Sequence, residues 1–229
     1  MKFDVVLEKE EAPKNDGLSL VIAMCSSRDV KPQTCASLVN LSCSLVHYSQ
    51  SLNVKRIDVF GGISESLLSN ARQKRLDFAL NGPYTHMVCF DDDMRFPYDA
   101  VNRMLAADVD FICANATQKL ANEINGVCLD FEGKRIDSTG KTGIEEIGWG
   151  SLACAVIKLE KLRAIPKPHF EVVWVQELCG GLGAYQGEDH YFMKKLREHG
   201  IKLYCDHDLS QQVTHIGDFD YGFPQLIKE

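Results

Sequence analysis

The chain has 229 residues, of which 45% are hydrophobic and 25% are charged, and its net charge is −7. These fractions are those of a soluble globular protein. The acidic balance disfavours broad binding to nucleic acid, which rests on neutralisation of phosphates by Lys and Arg. No apolar stretch approaches the roughly 20 residues of a membrane span, so we expect none.

Residues 1–17 are rich in charge and lack the apolar core of a secretion signal. We therefore expect a short lead-in and a cytoplasmic protein. The nine cysteines form no CxxC pair, which argues against zinc-ribbon and thioredoxin-like sites and favours reduced thiols. Cys205 is a zinc candidate with His207 and His215, although the spacing fits no standard site.

The first half of the chain alternates between strand and helix patterns. The predicted strands cover 18–24, 54–60, 85–90 and 111–114. The predicted helices cover 34–51, 64–80, with N-caps at 64–66, and 98–107. Strands that alternate with helices indicate βαβ units and a mainly parallel sheet.

After residue 120 the pattern becomes irregular. We expect a small hairpin over 127–137, strands over 152–157, 170–175 and 202–205, a helix over 188–199, and a turn over 213–217. Glycine concentrates at 180–187, just before the predicted helix. The second half therefore predicts a smaller, mixed part of the same fold rather than further βαβ units.

Asp91, Asp92 and Asp93 follow the buried run 87–90. Adjacent carboxylates repel one another and cost desolvation unless a cation or water relieves them. The carboxyl end of a buried strand is also where open α/β sheets bind ligands. The alternative is an acidic turn leading into the helix that Pro97 starts. In a D-x-D pair, one carboxylate can hold Mg²⁺ or Mn²⁺ and the other a sugar hydroxyl or metal-bound water.

Acidic residues and a histidine later in the chain extend this candidate site. Glu188 and Asp189 follow Gly187 at a predicted helix start, where the helix dipole alone can favour them. Their functional interpretation makes one of them a general base. His215 is either a satisfied structural residue or a neutral imidazole ligand that completes the metal site.

Two further groups are candidates for binding rather than chemistry. Ser26 and Arg28 follow the first strand and suit a nucleotide or diphosphate, as does Arg72 on the helix before the Asp strand. The alternative for the arginines is a solvated helix face. Trp149, between Gly148 and Gly150, is either a core residue at a tight turn or a ring that stacks on a sugar.

Taken together, these residues resemble GT-A glycosyltransferases. The set that occurs in the family's order is Phe90-Asp91-Asp92-Asp93-Met94, Ala71-Arg72, Gly148-Trp149-Gly150, Gly187-Glu188-Asp189 and His215. The resemblance covers about residues 18–217 and is nearest to the family 2-like group and its small virus- or phage-type members. It implies an α/β GT-A fold, with a central, mainly parallel sheet flanked by helices and a small antiparallel second part.

The resemblance also implies a domain plan, a donor and a metal. A charged lead-in, 1–17, would precede a single domain, 18–229, whose 18–120 half binds the nucleotide and whose 121–229 half binds the acceptor. The donor would be a nucleoside-diphosphate sugar, a UDP- or GDP-sugar foremost, with Mn²⁺ or Mg²⁺ as cofactor. The acceptor would be the hydroxyl of a glycan, a protein or another molecule, with nucleic acid disfavoured by the acidic charge.

Roles follow from the matched positions. The metal set is Asp91, Asp93 and His215, and the catalytic set is Asp189 as the base of an inverting reaction, with Glu188 beside it. The donor-binding set is Ser26, Arg28, Arg72, Asp91 and Asp92, although the Asp92 side chain is expected to point the other way along the strand. The acceptor set is Trp149, Gly150 and Gly187. Gln73 departs from the Asn of many relatives, and the missing Q-x-x-R-W signature argues against a processive synthase.

Three other functions remain open from the sequence. A nucleotidyltransferase that makes an activated sugar would share the sheet and the metal carboxylates, but residues 25–28 are a poor triphosphate loop. A dinucleotide-binding oxidoreductase could use Gly181, Gly183 and Gly187, which miss the G-x-G-x-x-G spacing by one residue. A non-catalytic nucleotide- or sugar-binding module would not need Asp189.

Overall fold

The computed structural model describes residues 17–25, 29–61, 67–120, 125–218 and 220–223. The first-half elements are β1 (Leu18–Cys25), α1 (Pro32–His47), β2 (Val54–Gly61), α2 (Leu68–Asn81), β3 (His86–Asp91), β4 (Met94–Arg95), α3 (Ala100–Ala106) and β5 (Phe111–Ala114). The second-half elements are β6 (Ile144–Ile147), β7 (Cys154–Lys158), α4 (Leu159–Leu162), β8 (Val173–Val175), β9 (Ala184–Gln186), α5 (Glu188–Glu198), β10 (Leu203–Asp206), α6 (His207–Ser210), β11 (Thr214–Ile216) and β12 (Asp220–Tyr221).

A seven-stranded sheet forms the centre of the described structure, in the order β2-β1-β3-β7-β5-β10-β6. β1 pairs in parallel with β2 and β3, and β5 pairs in parallel with β10. β7 runs antiparallel between β3 and β5, and β6 is antiparallel to β10. Five of these seven strands therefore point in one direction, which confirms the predicted α/β fold with a mainly parallel sheet.

Both faces of the sheet are covered, which explains the unbroken apolar runs of its central strands. In β3, Met87 and Cys89 pack on one face while Val88 and Phe90 pack on the other. The first face is covered by α2 and α5, and the second by α1 and α3. A strand buried on both faces needs apolar residues at every position, so the polar residues are displaced to the strand ends.

Two small antiparallel sheets complete the described structure, and their strands were the hardest to predict. β4 and β12 both pair with β11, and β8 pairs with β9. The predicted turn over 213–217 is therefore wrong, because residues 214–216 form the central strand of a three-stranded sheet. Elements of two to four residues carry no periodicity, and those that also lack a buried apolar run leave no signal in the sequence. They are β4, β6, β9, β12, α4 and α6.

Several predicted boundaries also move. α1 ends at His47 rather than 51, because the chain turns through Asn53, which has a φ of 51°, to enter β2. The predicted hairpin over 127–137 is reduced to single bridges of Leu129 with Arg135 and with Trp149. The lead-in over 1–16, the N-caps at 64–66 and residues 26–28 lie outside the described residues.

None of the helices in the described part of the chain is both long enough and apolar enough to cross a membrane.

Candidate functional site

The main chain of the acidic triplet is fixed from two sides. Asp91 is the last residue of β3, and β4 begins directly after Asp93. The carbonyl of Asp92 accepts a hydrogen bond from the Lys31 amide, 2.9 Å away, at the start of α1. The carbonyl of Asp93 accepts one from the Ile216 amide at 2.7 Å. The triplet therefore lies at the junction between the large sheet and the β4–β11–β12 sheet.

The small sheet brings His215 to Asp93. His215 pairs with Met94 across β11 and β4, and its Nε2 lies 3.2 Å from Asp93 Oδ1. Its Nδ1 lies 2.9 Å from the carbonyl oxygen of Thr117, a geometry that assigns the Nδ1 proton to that bond. The Lys119 ammonium donates to Asp93 Oδ2 at 2.5 Å. We call Asp93, His215, Lys119 and Thr117 the Asp93 cluster.

The Asp93 cluster holds its carboxylate strongly ionised. Burial raises the pKa of Asp93, but the hydrogen bonds and positive charge of His215 and Lys119 outweigh it and bring that pKa to about 2. The carboxylate is therefore charged at any physiological pH. Because His215 Nδ1 is anchored on a backbone carbonyl, its Nε2 is directed at the same carboxylate, as in the outer-shell orientation of metal-binding histidines.

A second cluster surrounds the guanidinium of Arg72. This side chain, on α2, is only 6% exposed. It forms ion pairs with Glu188 Oε1 at 3.1 Å, with Asp91 Oδ1 at 3.5 Å, and with Asp189 Oδ1. Glu188 and Asp189 are the first two residues of α5. We call Arg72, Asp91, Glu188 and Asp189 the Arg72 cluster.

The Arg72 cluster has more carboxylates than cations. Burial raises the pKa of Asp91, Arg72 lowers it, and the neighbouring charges of Asp93 and Asp92 raise it again, so its pKa stays above the ordinary value. Burial lowers the pKa of Arg72, but Asp91 and Glu188 outweigh that and raise it. Three carboxylates around one guanidinium make a site that is ready to accept a proton or another cation.

The neighbouring Arg75 supports the fold rather than this cluster. Its side chain is 3% exposed, its Nε donates to the carbonyl of Met24 at 2.6 Å, and a second nitrogen donates to the Ala71 carbonyl at 2.8 Å. Arg75 thereby fixes the end of β1, the strand that leads into residues 26–28. A cavity of about 10 Å³, the room of about one water, separates it from Asp91.

A divalent metal fits the Asp93 cluster by its donor chemistry. Asp93 offers an ionised oxygen and His215 an oriented nitrogen, 3.2 Å apart, and both are donor types that bind divalent metals. Asp91, the third predicted ligand, is instead paired with Arg72. No group of three His, Cys, Asp or Glu side chains within the described residues is arranged to hold an ion. The protein would therefore supply two ligands, and substrate phosphate and water the rest.

No protein-family model matches the sequence, and no curated protein shows significant sequence similarity to it. Solved structures do match. A197 from STIV matches with a TM-score of 0.54 and 17% identity, over 93% of this chain and 97% of that one. A structure of GalNAc-T7 with UDP, GalNAc and Mn²⁺ matches with a TM-score of 0.50 and 12% identity, over 89% of this chain and 45% of that one.

The protein has a GT-A-like fold. At such low identity these likenesses concern the fold alone, and the chain spans less than half of the GalNAc-T7 chain it matches. In the GT-A-like fold of this chain, the predicted residues Asp91, Arg72, Glu188 and Asp189 meet in one cluster, and Asp93 meets His215 in the other. Ser26 and Arg28 lie outside the described residues.

The predicted acceptor residues have mixed surroundings. Trp149 is partly buried, with Arg197 over its ring at 5.0 Å and His190 at 6.3 Å between ring centroids. A Cβ at Gly150 would lie 2.8 Å from the Phe111 ring, so this glycine permits close packing in the core. Gly187, which precedes α5, has open space where a Cβ would point. These contacts favour a packing role for Trp149 and Gly150, and the acceptor assignment remains a prediction.

Sequence reasoning missed two residues of the Asp93 cluster. Thr117 and Lys119 lie in an irregular segment after β5 that carries no motif. The only available signal was position, because this segment follows the carboxyl end of a strand in the sheet, where ligands bind. The zinc candidate at Cys205 is not assembled, since His207 bonds Ser138 and Glu145, and His215 lies at Asp93.

The departure at Gln73 has a structural explanation. The Gln73 amide oxygen accepts from the His169 backbone amide at 2.8 Å, and its nitrogen lies 3.1 Å from His169 Nδ1. Gln73 therefore ties the segment before β8 to α2, one residue after Arg72.

Proposed function

We propose that this protein is a metal-dependent glycosyltransferase that moves a sugar from a nucleoside-diphosphate sugar to an acceptor hydroxyl. The observation that carries the proposal is the contact between Asp93 and His215, two residues that the sequence assigns to one metal site and that β4–β11 pairing places together. A nucleic-acid acceptor stays disfavoured by the net charge of −7.

The donor side rests on the position of the Asp93 cluster. Asp93 and His215 would hold Mn²⁺ or Mg²⁺, which when bound would neutralise the charge that builds on the diphosphate leaving group. Lys119 adds a second positive charge at the same point. The structural neighbour that was crystallised with UDP, GalNAc and Mn²⁺ supports a UDP-sugar and Mn²⁺ as the first combination to test.

Residues of the Arg72 cluster would carry out the sugar-transfer step. The acceptor hydroxyl would give its proton to Asp189 while its oxygen attacks the anomeric carbon, and the bond from that carbon to the diphosphate oxygen would break on the opposite face, with inversion. Asp189 is suited to this because its side chain is 29% exposed while Oδ1 faces Arg72. Arg72 would keep Glu188 and Asp189 oriented before the acceptor arrives.

The test is a thermal-shift screen of UDP-, GDP-, dTDP- and CDP-sugars with and without Mn²⁺, followed by a transfer assay with the donor that stabilises the protein. We expect one nucleotide to raise the melting temperature only when the metal is present, because a metal held by Asp93 and His215 would supply the positive charge that a diphosphate needs. The Asp93→Ala variant should lose that metal-dependent shift.

Asp110→Ala is the matched control, since it removes a surface ion pair with Lys161, 2.6 Å in length, outside the site. It should retain the shift. Release of pyrophosphate from a nucleoside triphosphate would instead identify a nucleotidyltransferase, and donor binding with no transfer or hydrolysis would identify a binding module. Either result would overturn the proposal.

A further inference from the structure

An exposed aromatic hairpin lies directly before the helix that carries Glu188 and Asp189. β8 and β9 pair so that Trp174 and Tyr185 stand opposite one another, on the same face. Trp174 is 53% exposed and Tyr185 is 72% exposed. We call residues 173–186 the Trp174 hairpin. Large aromatic rings are usually buried, so two exposed rings side by side indicate a binding surface for a ligand or partner.

The indole of Trp174 is held in place although it is exposed. Its Nε1 donates to Gln176 Oε1 at 3.2 Å, and Gln176 in turn donates to the Gly181 carbonyl at 2.8 Å. The Tyr185 ring meets it edge-on, with 5.2 Å between centroids and 79° between planes. A Cβ at Gly183 would lie 2.3 Å from the indole, and φ there is +78°, so only glycine fits beneath the ring. A ring fixed before its ligand arrives loses little entropy on binding.

Both ends of the Trp174 hairpin are attached to α2 beside the candidate site. On the entering side His169 bonds Gln73, and on the leaving side Glu188 bonds Arg72. Tyr185 precedes Glu188 by three residues, which limits the separation of their Cα atoms to about 10 Å. The aromatic surface is therefore within the length of a short oligosaccharide from the carboxylates.

The groove beside the hairpin is lined by neutral and mixed-charge polar groups. Its volume is about 710 Å³, within the range of small-molecule sites, and Trp174, Gln176, Glu177, Gln186 and Glu198 contribute to it. Amides and carboxylates bind hydroxyl groups, and an aromatic ring packs against the C–H face of a pyranose. Glu177 and Glu198 in the groove lining are balanced by Lys194 and Lys195. The groove therefore has no excess of positive charge that would attract an anionic membrane surface.

We propose that the Trp174 hairpin is the acceptor platform of this protein and that it binds a neutral sugar residue of a glycan acceptor by stacking on Trp174 and Tyr185. The name acceptor rests on the proposed glycosyltransferase function, whereas the binding of a neutral sugar by the hairpin does not.

The test measures oligosaccharide binding without any donor. The chain has two tryptophans, so the difference in fluorescence between the unaltered protein and Trp174→Phe, which keeps only Trp149, reports on Trp174. Titration with neutral hexasaccharides of glucose, N-acetylglucosamine, xylose and mannose should change that difference for at least one of them. Calorimetric titration should show affinity for the same sugar falling about tenfold or more in Trp174→Ala and Tyr185→Ala, and recovering in part in Trp174→Phe.

Tyr98→Ala is the matched control, because Tyr98 is 56% exposed and lies outside the hairpin. It should bind the sugar as well as the unaltered protein does. No binding by any hexasaccharide, binding that survives Trp174→Ala, or hairpin-dependent binding to anionic vesicles in place of sugar would each overturn the inference. Metal-dependent donor binding is measured in a separate experiment. A negative sugar titration would therefore overturn the platform without affecting the proposed function, and a negative donor screen would overturn the proposed function without affecting sugar binding by the hairpin.

Discussion

The Asp93 cluster and the Arg72 cluster begin two residues apart at the end of β3, yet their charge balance is opposite. In the first, one carboxylate meets Lys119 and His215, and its pKa is held at about 2. In the second, three carboxylates share one guanidinium, and burial raises the pKa of Asp91. Neighbouring aspartates therefore acquire different chemistry from their partners: Asp93 stays an ionised oxygen donor, whereas Asp91 belongs to a group with an excess of carboxylates that is suited to accept a proton or a cation.

The sharpest way to separate the two clusters is to remove the proposed base. Asp189→Asn should lower sugar transfer by about 10²–10⁴-fold, the usual contribution of a general base, because the amide cannot accept the acceptor's proton. The metal-dependent thermal shift with donor should stay, since the Asp93 cluster is intact. The measurement compares, in the same variant, the rate of sugar transfer with the rise in melting temperature that the donor and metal produce.

Glu160→Gln is the control for that variant, because Glu160 is an exposed carboxylate in the first turn of α4, outside both clusters and the Trp174 hairpin. It should transfer sugar normally. Glu188→Gln shows whether the neighbouring carboxylate shares the role. Full activity in Asp189→Asn would remove Asp189 from the mechanism and leave the metal site untouched.

Loss of the guanidinium should be the largest change in stability. Arg72→Met removes the countercharge of three carboxylates, among them Glu188, 14% exposed at 3.1 Å, and Asp91, 27% exposed at 3.5 Å. Breaking a buried pair by removing one partner costs about 3–5 kcal/mol, which urea unfolding measures. Arg56→Met removes an exposed ion pair with Asp58 and should cost less than about 1 kcal/mol. Equal losses of unfolding free energy in the two variants would mean that the carboxylates of the Arg72 cluster do not depend on the charge of Arg72.

The smallest expected effects have opposite signs. Asp91 has a raised pKa, so its ionised form costs stability at neutral pH and that cost disappears as the pH falls through the raised value. Asp93 has a pKa of about 2, so it contributes stability that is present above pH 4 and is lost as the pH falls through 2. Asp91→Asn should therefore stabilise the protein at pH 7, while Asp93→Asn should cost about 2 kcal/mol.

The difference in unfolding free energy between each variant and the unaltered protein should become smaller in acid, in a pH range set by the pKa of the aspartate that was replaced. Urea unfolding of the two variants and the unaltered protein from pH 7 to pH 2.5 makes the comparison. A destabilised Asp91→Asn would show that Arg72 needs this carboxylate, and the contrast between the two clusters would then be wrong.

Much of the large sheet was predictable because its central strands are buried on both faces. An unbroken apolar run such as 87–90, followed by polar residues, can mark a strand end without any knowledge of its neighbours. The short strands were not predictable in the same way. β11 has three residues and β4 has two, and each exists because it pairs with the other.

The candidate site, like the sheet, was predictable only in part. Residue types and their order were enough to select Asp91, Asp93, Glu188, Asp189, Arg72 and His215 as one set. Their partition into two clusters was not in the sequence, since the D-x-D pattern assigns Asp91 and Asp93 to one metal. Arg72 pairs with Asp91 instead, and Lys119 approaches Asp93 from a segment without a motif.

The sequence by itself determined which strands form the centre of the sheet and which acidic residues stand at their ends, because burial on two faces and charge repulsion are local constraints. The tertiary structure alone decided which partner each carboxylate meets, where Lys119 lies, and that an exposed Trp174 stands beside the site. Those outcomes depend on pairing between segments far apart in the chain, and the free energy of that pairing cannot be inferred from the sequence of one segment alone.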